Sequence, residues 1–163
     1  MLVSNTSTLV LLAKISCLEE FIEISPTIEI PVQVKKEALF DYGSYYAKLI
    51  EKLIQEKKIK VVPFFKKSEI SRIMEEFRLD EGEAATYAVF NNKKHKAILT
   101  DDGELIKLCK LEKVPFVNAM AVVIRLFERK KLSKEEAINK LEDLNKIGRY
   151  SLDLYEHFKM EVR

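Results

Sequence analysis

Residues 2–8 read Leu2-Val3-Ser4-Asn5-Thr6-Ser7-Thr8, a short apolar run that passes directly into residues able to cap a helix. The apolar run predicts a first strand over residues 2–4, and the hydroxyl side chains predict the start of a helix. Apolar residues then follow at the spacing of one buried helix face, namely Leu9, Leu12, Ile15 and Leu18. The chain therefore opens with a strand and a helix that extends through residue 18.

The same alternation of apolar runs and amphipathic segments continues along the chain. We predict further strands at residues 27–30, 59–62, 97–100 and 115–118. Helices are predicted to begin at Pro31 and Ser68 and to cover residues 45–57, 81–92, 103–111, 120–129, 133–147 and 151–160. Strands that alternate with helices predict an α/β fold, in which helices cover both faces of a parallel sheet. Because no linker or repeat interrupts the pattern, we predict one domain over residues 1–163, with the C-terminal helices of about residues 133–160 packed on it.

The composition predicts a folded protein without a strong overall charge. The chain has 163 residues, of which 47% are hydrophobic and 33% charged, and its formal net charge is +2. We predict a cytoplasmic protein, because no apolar run reaches the roughly 18 residues that span a bilayer and no cleavable leader precedes the first strand. A nucleic-acid partner would have to meet local basic clusters, such as Lys57-Lys58, Lys66-Lys67, Lys93-Lys94-His95-Lys96 and Arg129-Lys130-Lys131.

The spacing of several other side chains along the sequence does not indicate a function for them. Cys17 and Cys109 lie in apolar helical segments, and we expect two buried free thiols. His95 and His157 are far apart in the sequence, and we expect both at the surface. The pair Phe64-Phe65 is expected in the core or at an interface rather than in base stacking.

Acidic residues and one amide stand at four separated places that the fold could bring together. Asn5 follows the first predicted strand, and Asp101 and Asp102 follow the strand at residues 97–100. Glu37 lies inside the helix opened by Pro31, and Glu83 lies near the start of the helix at residues 81–92. Sites in parallel sheets lie beyond the carboxyl ends of the strands, where strand order reverses. If the first and fourth strands are neighbours, these oxygens form a pocket suited to Mg²⁺ or Mn²⁺.

Four segments, in this order, resemble the motifs of the PIN-domain ribonucleases, the fold of the VapC-type toxins of prokaryotic toxin–antitoxin pairs. The family opening Val-x-Asp-(Thr/Ser)-Ser resembles Val3-Ser4-Asn5-Thr6-Ser7, and its second-acid segment resembles Pro31-Val32-Gln33-Val34-Lys35-Lys36-Glu37. The third acid has the Gly-Glu-Ala form of one subgroup in Leu79-Asp80-Glu81-Gly82-Glu83-Ala84-Ala85. The fourth resembles the strand end Ile98-Leu99-Thr100-Asp101-Asp102.

This resemblance implies a three-layer α/β/α sandwich around a central parallel sheet of about five strands. It also implies Mg²⁺- or Mn²⁺-dependent cleavage of RNA, an antitoxin protein as partner, and a homodimer. The catalytic residues that it implies are Asn5, Glu37, Glu83 and Asp102, and the implied metal ligands are Glu37, Glu83, Asp101 and Asp102. Thr6 and Ser7 would hydrogen-bond the first ligand or a water, and Glu104 stands where some members keep a further acid.

The departure from the family pattern is Asn5, where the motif has an acid. An amide oxygen can coordinate a metal but contributes no charge, so two readings stay open. The first is a toxin ribonuclease whose activity is impaired by Asn5, and the second is a degenerate PIN domain that binds RNA or a protein without cutting. A third reading, another phosphotransfer enzyme on a doubly wound sheet, lacks the glycine-rich phosphate loop that such enzymes use.

Overall fold

Five short strands form one parallel sheet in the computed structural model, which describes residues 1–63 and 66–163. They are β1 (Leu2–Ser4), β2 (Ile28–Pro31), β3 (Ile59–Val62), β4 (Ala97–Leu99) and β5 (Phe116–Val117). Their order across the sheet is β3-β2-β1-β4-β5, and every neighbouring pair is parallel. The predicted strands are confirmed to within one residue at each end. The pair Phe64-Phe65 lies outside the described residues.

Helices cover both faces of this sheet, which confirms the three-layer α/β/α architecture. One face carries an apolar cluster built from α1 (Thr6–Lys14), α2 (Leu18–Ile24), α3 (Val32–Ala38), α4 (Tyr45–Gln55), α8 (Ala119–Glu128), α9 (Lys134–Ile147) and α10 (Leu152–Val162). The other face carries a second cluster from α5 (Lys67–Phe77), α6 (Glu81–Val89) and α7 (Gly103–Leu111). Among the described residues, we find no helix with the length and apolar character needed to cross a membrane.

The two central strands contribute side chains to both apolar clusters. Leu2 and Leu99 point into the cluster of α1, whereas Val3 and Ile98 point into the cluster of α7. Successive strand residues face opposite sides of a sheet, so a central strand between two helix layers must be apolar on both sides. This is why Leu2-Val3 of β1 and the whole of β4 are apolar on both sides of the sheet.

Two C-terminal helices, α9 and α10, lie on the α1 face of the sheet. Ser133 and Glu136 form a capping box at the start of α9, which ends at Ile147, directly before Gly148. Ser151 caps α10 through a hydrogen bond that its hydroxyl accepts from the backbone N–H of Leu154. Both helices contact α8 and each other, so they extend the apolar cluster on the α1 face of the sheet.

The first helix is shorter than the sequence pattern predicted. It ends at Lys14, and Ser16 adopts a left-handed conformation with φ of 59°. The backbone N–H of Cys17 bonds to the carbonyl of Leu12 at 2.9 Å, and the N–H of Ser16 bonds to that of Ala13 at 3.1 Å. These two bonds form a Schellman ending, which usually has glycine at the left-handed position. Because a serine stands there, the break could not be predicted from the sequence.

His95 is buried, so its expected surface position was wrong. Only 4% of the residue is exposed, and its Nε2 lies 2.8 Å from Glu29 Oε1 on β2. The other ring nitrogen accepts the N–H of Asn91, so the hydrogen on Nε2 points to Glu29. Burial raises the pKa of Glu29, but hydrogen bonds from His95 and Lys94 outweigh it and hold the pKa below its ordinary value. His95 therefore stabilises a buried carboxylate; the two cysteines are buried free thiols, as expected.

Replacing His95 with Leu should lower the free energy of unfolding by about 2 kcal/mol, because Glu29 loses a charge-assisted hydrogen bond while it remains buried. Equilibrium urea unfolding at neutral pH measures the change. His157→Leu is the control, since His157 is an exposed histidine of α10, and it should shift stability by less than about 0.5 kcal/mol. Equal effects of the two substitutions would contradict the structural role of His95.

Candidate active site

A cleft of about 760 Å³ opens at the carboxyl ends of β1 and β4. These strands are neighbours in the sheet, and strand order reverses between them. The residues predicted to converge all line this cleft: Asn5, Thr6, Ser7, Glu37, Glu83, Asp101, Asp102 and Glu104. The topology thus brings segments from four parts of the chain to the edge where parallel sheets carry their sites.

Thr100 joins the two strand ends through its hydroxyl oxygen. This oxygen accepts a hydrogen bond from Asn5 Nδ2 at 2.9 Å and another from the backbone N–H of Asp102 at 3.1 Å. On the opposite side, Ser7 Oγ donates to Asn5 Oδ1 at 3.0 Å. Asn5 is only 3% exposed, so its amide lies in the floor of the cleft with both ends hydrogen-bonded. The role of Thr100 as a bridge between Asn5 and Asp102 could not be predicted from the sequence.

Glu83 and Asp102 form a carboxyl pair at the starts of two helices. Glu83 belongs to a capping box in which its Oε2 accepts the N–H of Asp80 at 3.0 Å. Asp102 caps α7 by accepting the N–H of Leu105 at 2.8 Å. The two carboxyl groups are close enough for the charge of Asp102 to raise the pKa of Glu83. Helix starts favour negative charge, which explains how two acids are kept this close.

The proximity of the two acids changes the protonation of Glu83. Burial is the main cause that raises its pKa, and the carboxylates of Asp102 and Asp80 raise it further. The backbone hydrogen bond from Asp80 acts in the opposite direction. The outcome is a pKa of about 8, so Glu83 retains a proton at neutral pH when no cation is bound.

Glu37 reaches the cleft from the end of α3 rather than from a helix start. Its Oε2 accepts a hydrogen bond from Thr6 Oγ1 at 2.8 Å. Its carboxyl group lies against Gly82, in the space that a side chain at residue 82 would occupy. A side chain at residue 82 would therefore displace the Glu37 carboxyl group from its place against α6. Burial raises the pKa of Glu37, and Asp80 and Glu81 add to the rise, although hydrogen bonds from Thr6 and Gly82 oppose it.

Asp101 has different partners from Asp102, and both of its carboxyl oxygens accept hydrogen bonds from other parts of the chain. Its Oδ1 accepts hydrogen bonds from Thr8 Oγ1 at 2.6 Å and from the N–H of Ala119 at 3.0 Å. Its Oδ2 accepts the hydroxyl of Tyr150. Burial raises the pKa of Asp101 despite these bonds. Because both oxygens are engaged, the predicted ligand role of Asp101 has little support from this geometry.

The remaining predicted residues lie in different surroundings. Ser7 bonds the Asn5 amide, whereas Thr6 bonds Glu37 instead of the first ligand position. Glu104 is exposed at the cleft rim and pairs with Lys107 at 3.2 Å. One wall consists of residues that the sequence did not indicate, Ile147, Gly148, Arg149, Tyr150 and Leu154. These residues follow Asp102 by more than forty positions, and only the packing of α9 and α10 brings them to the cleft.

The carboxyl groups of the cleft suit a hard cation that is bound by two carboxylates, rather than one that is surrounded by protein ligands on all sides. Within the described residues, no three acidic, histidine or cysteine side chains are close enough together to hold one ion. Mg²⁺ needs fewer protein ligands, since it commonly binds one or two carboxylates and keeps several waters. Glu83 and Asp102 form such a pair, and the charge of Asp102 adds to the rise that burial causes in the pKa of Glu83. The residues present therefore fit a divalent cation at this pair.

Comparison with known proteins gives a match over almost the whole chain. A family described as a PIN domain matches residues 1–162. No curated protein and no solved structure matches the chain. The family match agrees with the five parallel strands and the flanking helix layers seen in the structure.

The raised pKa of Glu83 predicts that stability falls as pH rises in metal-free buffer. Between about pH 4.5 and 8 the folded state holds a proton on Glu83 that the unfolded state has released, so unfolding is favoured by rising pH. Glu83→Gln should reduce this fall, because the amide stays neutral and its oxygen can still accept the N–H of Asp80. Thermal melts across this pH range, with a chelator present, measure the slope.

The control for this prediction is Glu81→Gln, which removes an exposed acid from the first turn of the same helix. This variant should keep nearly all of the pH slope of the parent protein, because Glu81 is the smallest of the causes that raise the pKa of Glu37. If Glu83→Gln retains the full slope as well, then Glu83 is not the group that takes up the proton.

Proposed function

The chain belongs to the PIN-domain family, and from this premise we propose that it is a metal-dependent ribonuclease whose activity is weakened by Asn5. The observation that carries the proposal is the Glu83–Asp102 carboxyl pair at the carboxyl ends of β1 and β4. The motifs that resemble VapC-type toxins favour a toxin role, with RNA as substrate and an antitoxin protein as partner.

The proposed ligands are Glu83 and Asp102; the Glu37 carboxyl group, which lies against Gly82, and the buried Asn5 amide line the same cleft. A divalent cation bound there would supply charge neutralisation at the scissile phosphate and a more acidic water. The protein itself would hold the ligand carboxyl groups in fixed positions. One oxygen of Glu83 and one of Asp102 accept backbone N–H groups at helix starts, and the second oxygen of each carboxyl group would be available to a cation.

Asn5 weakens this arrangement by leaving out one negative charge. Its amide oxygen accepts a hydrogen bond from Ser7, and its nitrogen donates to Thr100. A carboxylate would fit the same contacts, because the Thr100 hydroxyl can donate its hydrogen to residue 5 while it accepts the N–H of Asp102. The site therefore has the hydrogen-bonding capacity for the family acid without rearrangement.

The second candidate is a PIN domain that binds RNA or a protein partner without cutting. It is favoured by the observation that the Asn5 amide is buried and hydrogen-bonded at both ends, as a structural residue would be. The two candidates differ in what happens when the acid is restored at residue 5.

Millimolar Mg²⁺ or Mn²⁺ should raise the melting temperature of the protein. A cation at ten times its dissociation constant stabilises the folded state by about 1.4 kcal/mol, which corresponds to a rise of about 3–6 °C for a chain of this size. Differential scanning calorimetry at matched ionic strength measures the rise, and Asp102→Asn should reduce it. Equal melting temperatures with and without divalent metal would count against the proposed ligands.

Asn5→Asp should produce or increase Mn²⁺-dependent cleavage of single-stranded RNA. Metal affinity should rise through the added charge, and metal-free stability should fall more than it would at a solvated position, because residue 5 is buried. Gel analysis of a labelled RNA, with Asn5→Asp/Asp102→Asn as the inactive control, tests the prediction. If the Asn5→Asp protein binds metal more tightly and leaves RNA intact, the non-enzymatic candidate is supported instead.

A further inference from the structure

The wall formed by residues 147–150 brings a cation to a cleft that is otherwise acidic. In the described part of the chain, Arg149 is the single lysine or arginine that lines the cleft. Acidic side chains line it from several elements, namely Glu37, Asp80, Glu83, Asp101, Asp102 and Glu104. The side chain of Arg149 is exposed. No ion pair within 4.0 Å involves Arg149 among the described residues, although these acids share its cleft.

The residues on both sides of Arg149 are anchored, Gly148 through its backbone and Tyr150 through its side chain. The N–H of Gly148 bonds to the carbonyl of Leu144 at 2.7 Å, which ties the segment to the end of α9. The hydroxyl of Tyr150 donates to Asp101, which ties it to the site. The ring of Tyr150 lies where a side chain at residue 148 would be, so glycine at that position lets the turn close. Arg149 therefore projects from a fixed turn and not from a loose loop.

An RNA strand needs such a group, because its phosphates must approach several carboxylates. A divalent cation would offset part of this repulsion. Much of its charge is already neutralised by the one or two carboxylates that bind it. An arginine can hold a phosphate through two parallel N–H···O bonds, and its charge does not depend on pH in the working range. The exposed position of Arg149 leaves its guanidinium group accessible to a strand that enters the cleft.

We propose that Arg149 binds a backbone phosphate of single-stranded RNA and positions the strand over the Glu83–Asp102 pair. This inference rests on the proposed function, because it takes RNA as the substrate. It assigns a role to the turn between α9 and α10, which carries the one lysine or arginine found among the described residues that line the cleft. Arg149 acts by holding substrate and is not a metal ligand.

The test measures binding of a fluorescent single-stranded RNA oligonucleotide by anisotropy in millimolar Ca²⁺, over a range of salt concentrations. Arg149→Ala should weaken binding about ten-fold, as expected for loss of a charged hydrogen bond. The slope of log Kd against log salt should fall by about 0.7, the value for one phosphate contact on a single strand. Arg149→Lys should keep the slope and lose part of the affinity, because lysine keeps the charge without the two parallel bonds.

Lys146→Ala is the matched control, since Lys146 is an exposed cation one turn earlier on α9 and does not line the acidic cleft. It should leave both affinity and salt slope unchanged. Melting temperatures of all variants should match that of the parent protein, which separates loss of a contact from loss of folding.

The outcomes separate this inference from the proposed function. Unchanged RNA affinity and salt slope in Arg149→Ala overturn the inference, even if Asn5→Asp cleaves RNA. A selective loss in Arg149→Ala supports the inference, even if no variant cleaves RNA and the nuclease proposal fails. A parent protein that binds no RNA overturns the inference together with the RNA-binding part of the proposed function.

Discussion

The parallel pairing of β1 with β4 is the constraint on which the candidate site depends. Ser4 lies in register with Leu99, so the next residues along the two strands, Asn5 and Thr100, become neighbours. The backbone N–H of Asn5 then bonds to the carbonyl of Leu99 at 3.1 Å. A shift of one residue in this register would turn every β1 side chain to the opposite face. The apolar side chains that fix the register therefore also fix the geometry of polar groups that they do not contact.

The acids of the cleft are tolerated because the backbone compensates part of their charge. Helices α6 and α7 both begin at this edge, and each offers N–H groups to a carboxylate. The compensation is incomplete, because the charges of Asp102 and Asp80 still add to the rise that burial causes in the pKa of Glu83. In the proposed metal site, a neutral residue at position 5 would relieve repulsion in the folded protein and would also weaken the attraction for a cation. Under that proposal, stability and metal affinity place opposite demands on this residue.

The parts of the structure that depend on local pattern could be predicted from the sequence. The strands, the capping box at Ser133 and the shared cleft of Glu83 and Asp102 follow from apolar runs, cap residues and strand ends. Contacts between distant segments could not be predicted in this way. The burial of His95 depends on Glu29, which lies 66 residues away, and neither residue has a neighbouring motif. The break at Ser16 was missed because serine seldom takes the left-handed position that ends a helix.

Asp101 and Asp102 are adjacent in the sequence, yet they have different physical roles. Asp102 caps α7 and faces Glu83, whereas Asp101 accepts hydrogen bonds from Thr8, Ala119 and Tyr150. Asp101 thereby links α1, the start of α8 and the turn between α9 and α10. A substitution at Asp101 would release all three contacts, so lost activity in such a variant would not identify a metal ligand. The same links make the C-terminal helices part of the cleft, because Tyr150 reaches Asp101 only when α9 and α10 are packed in place.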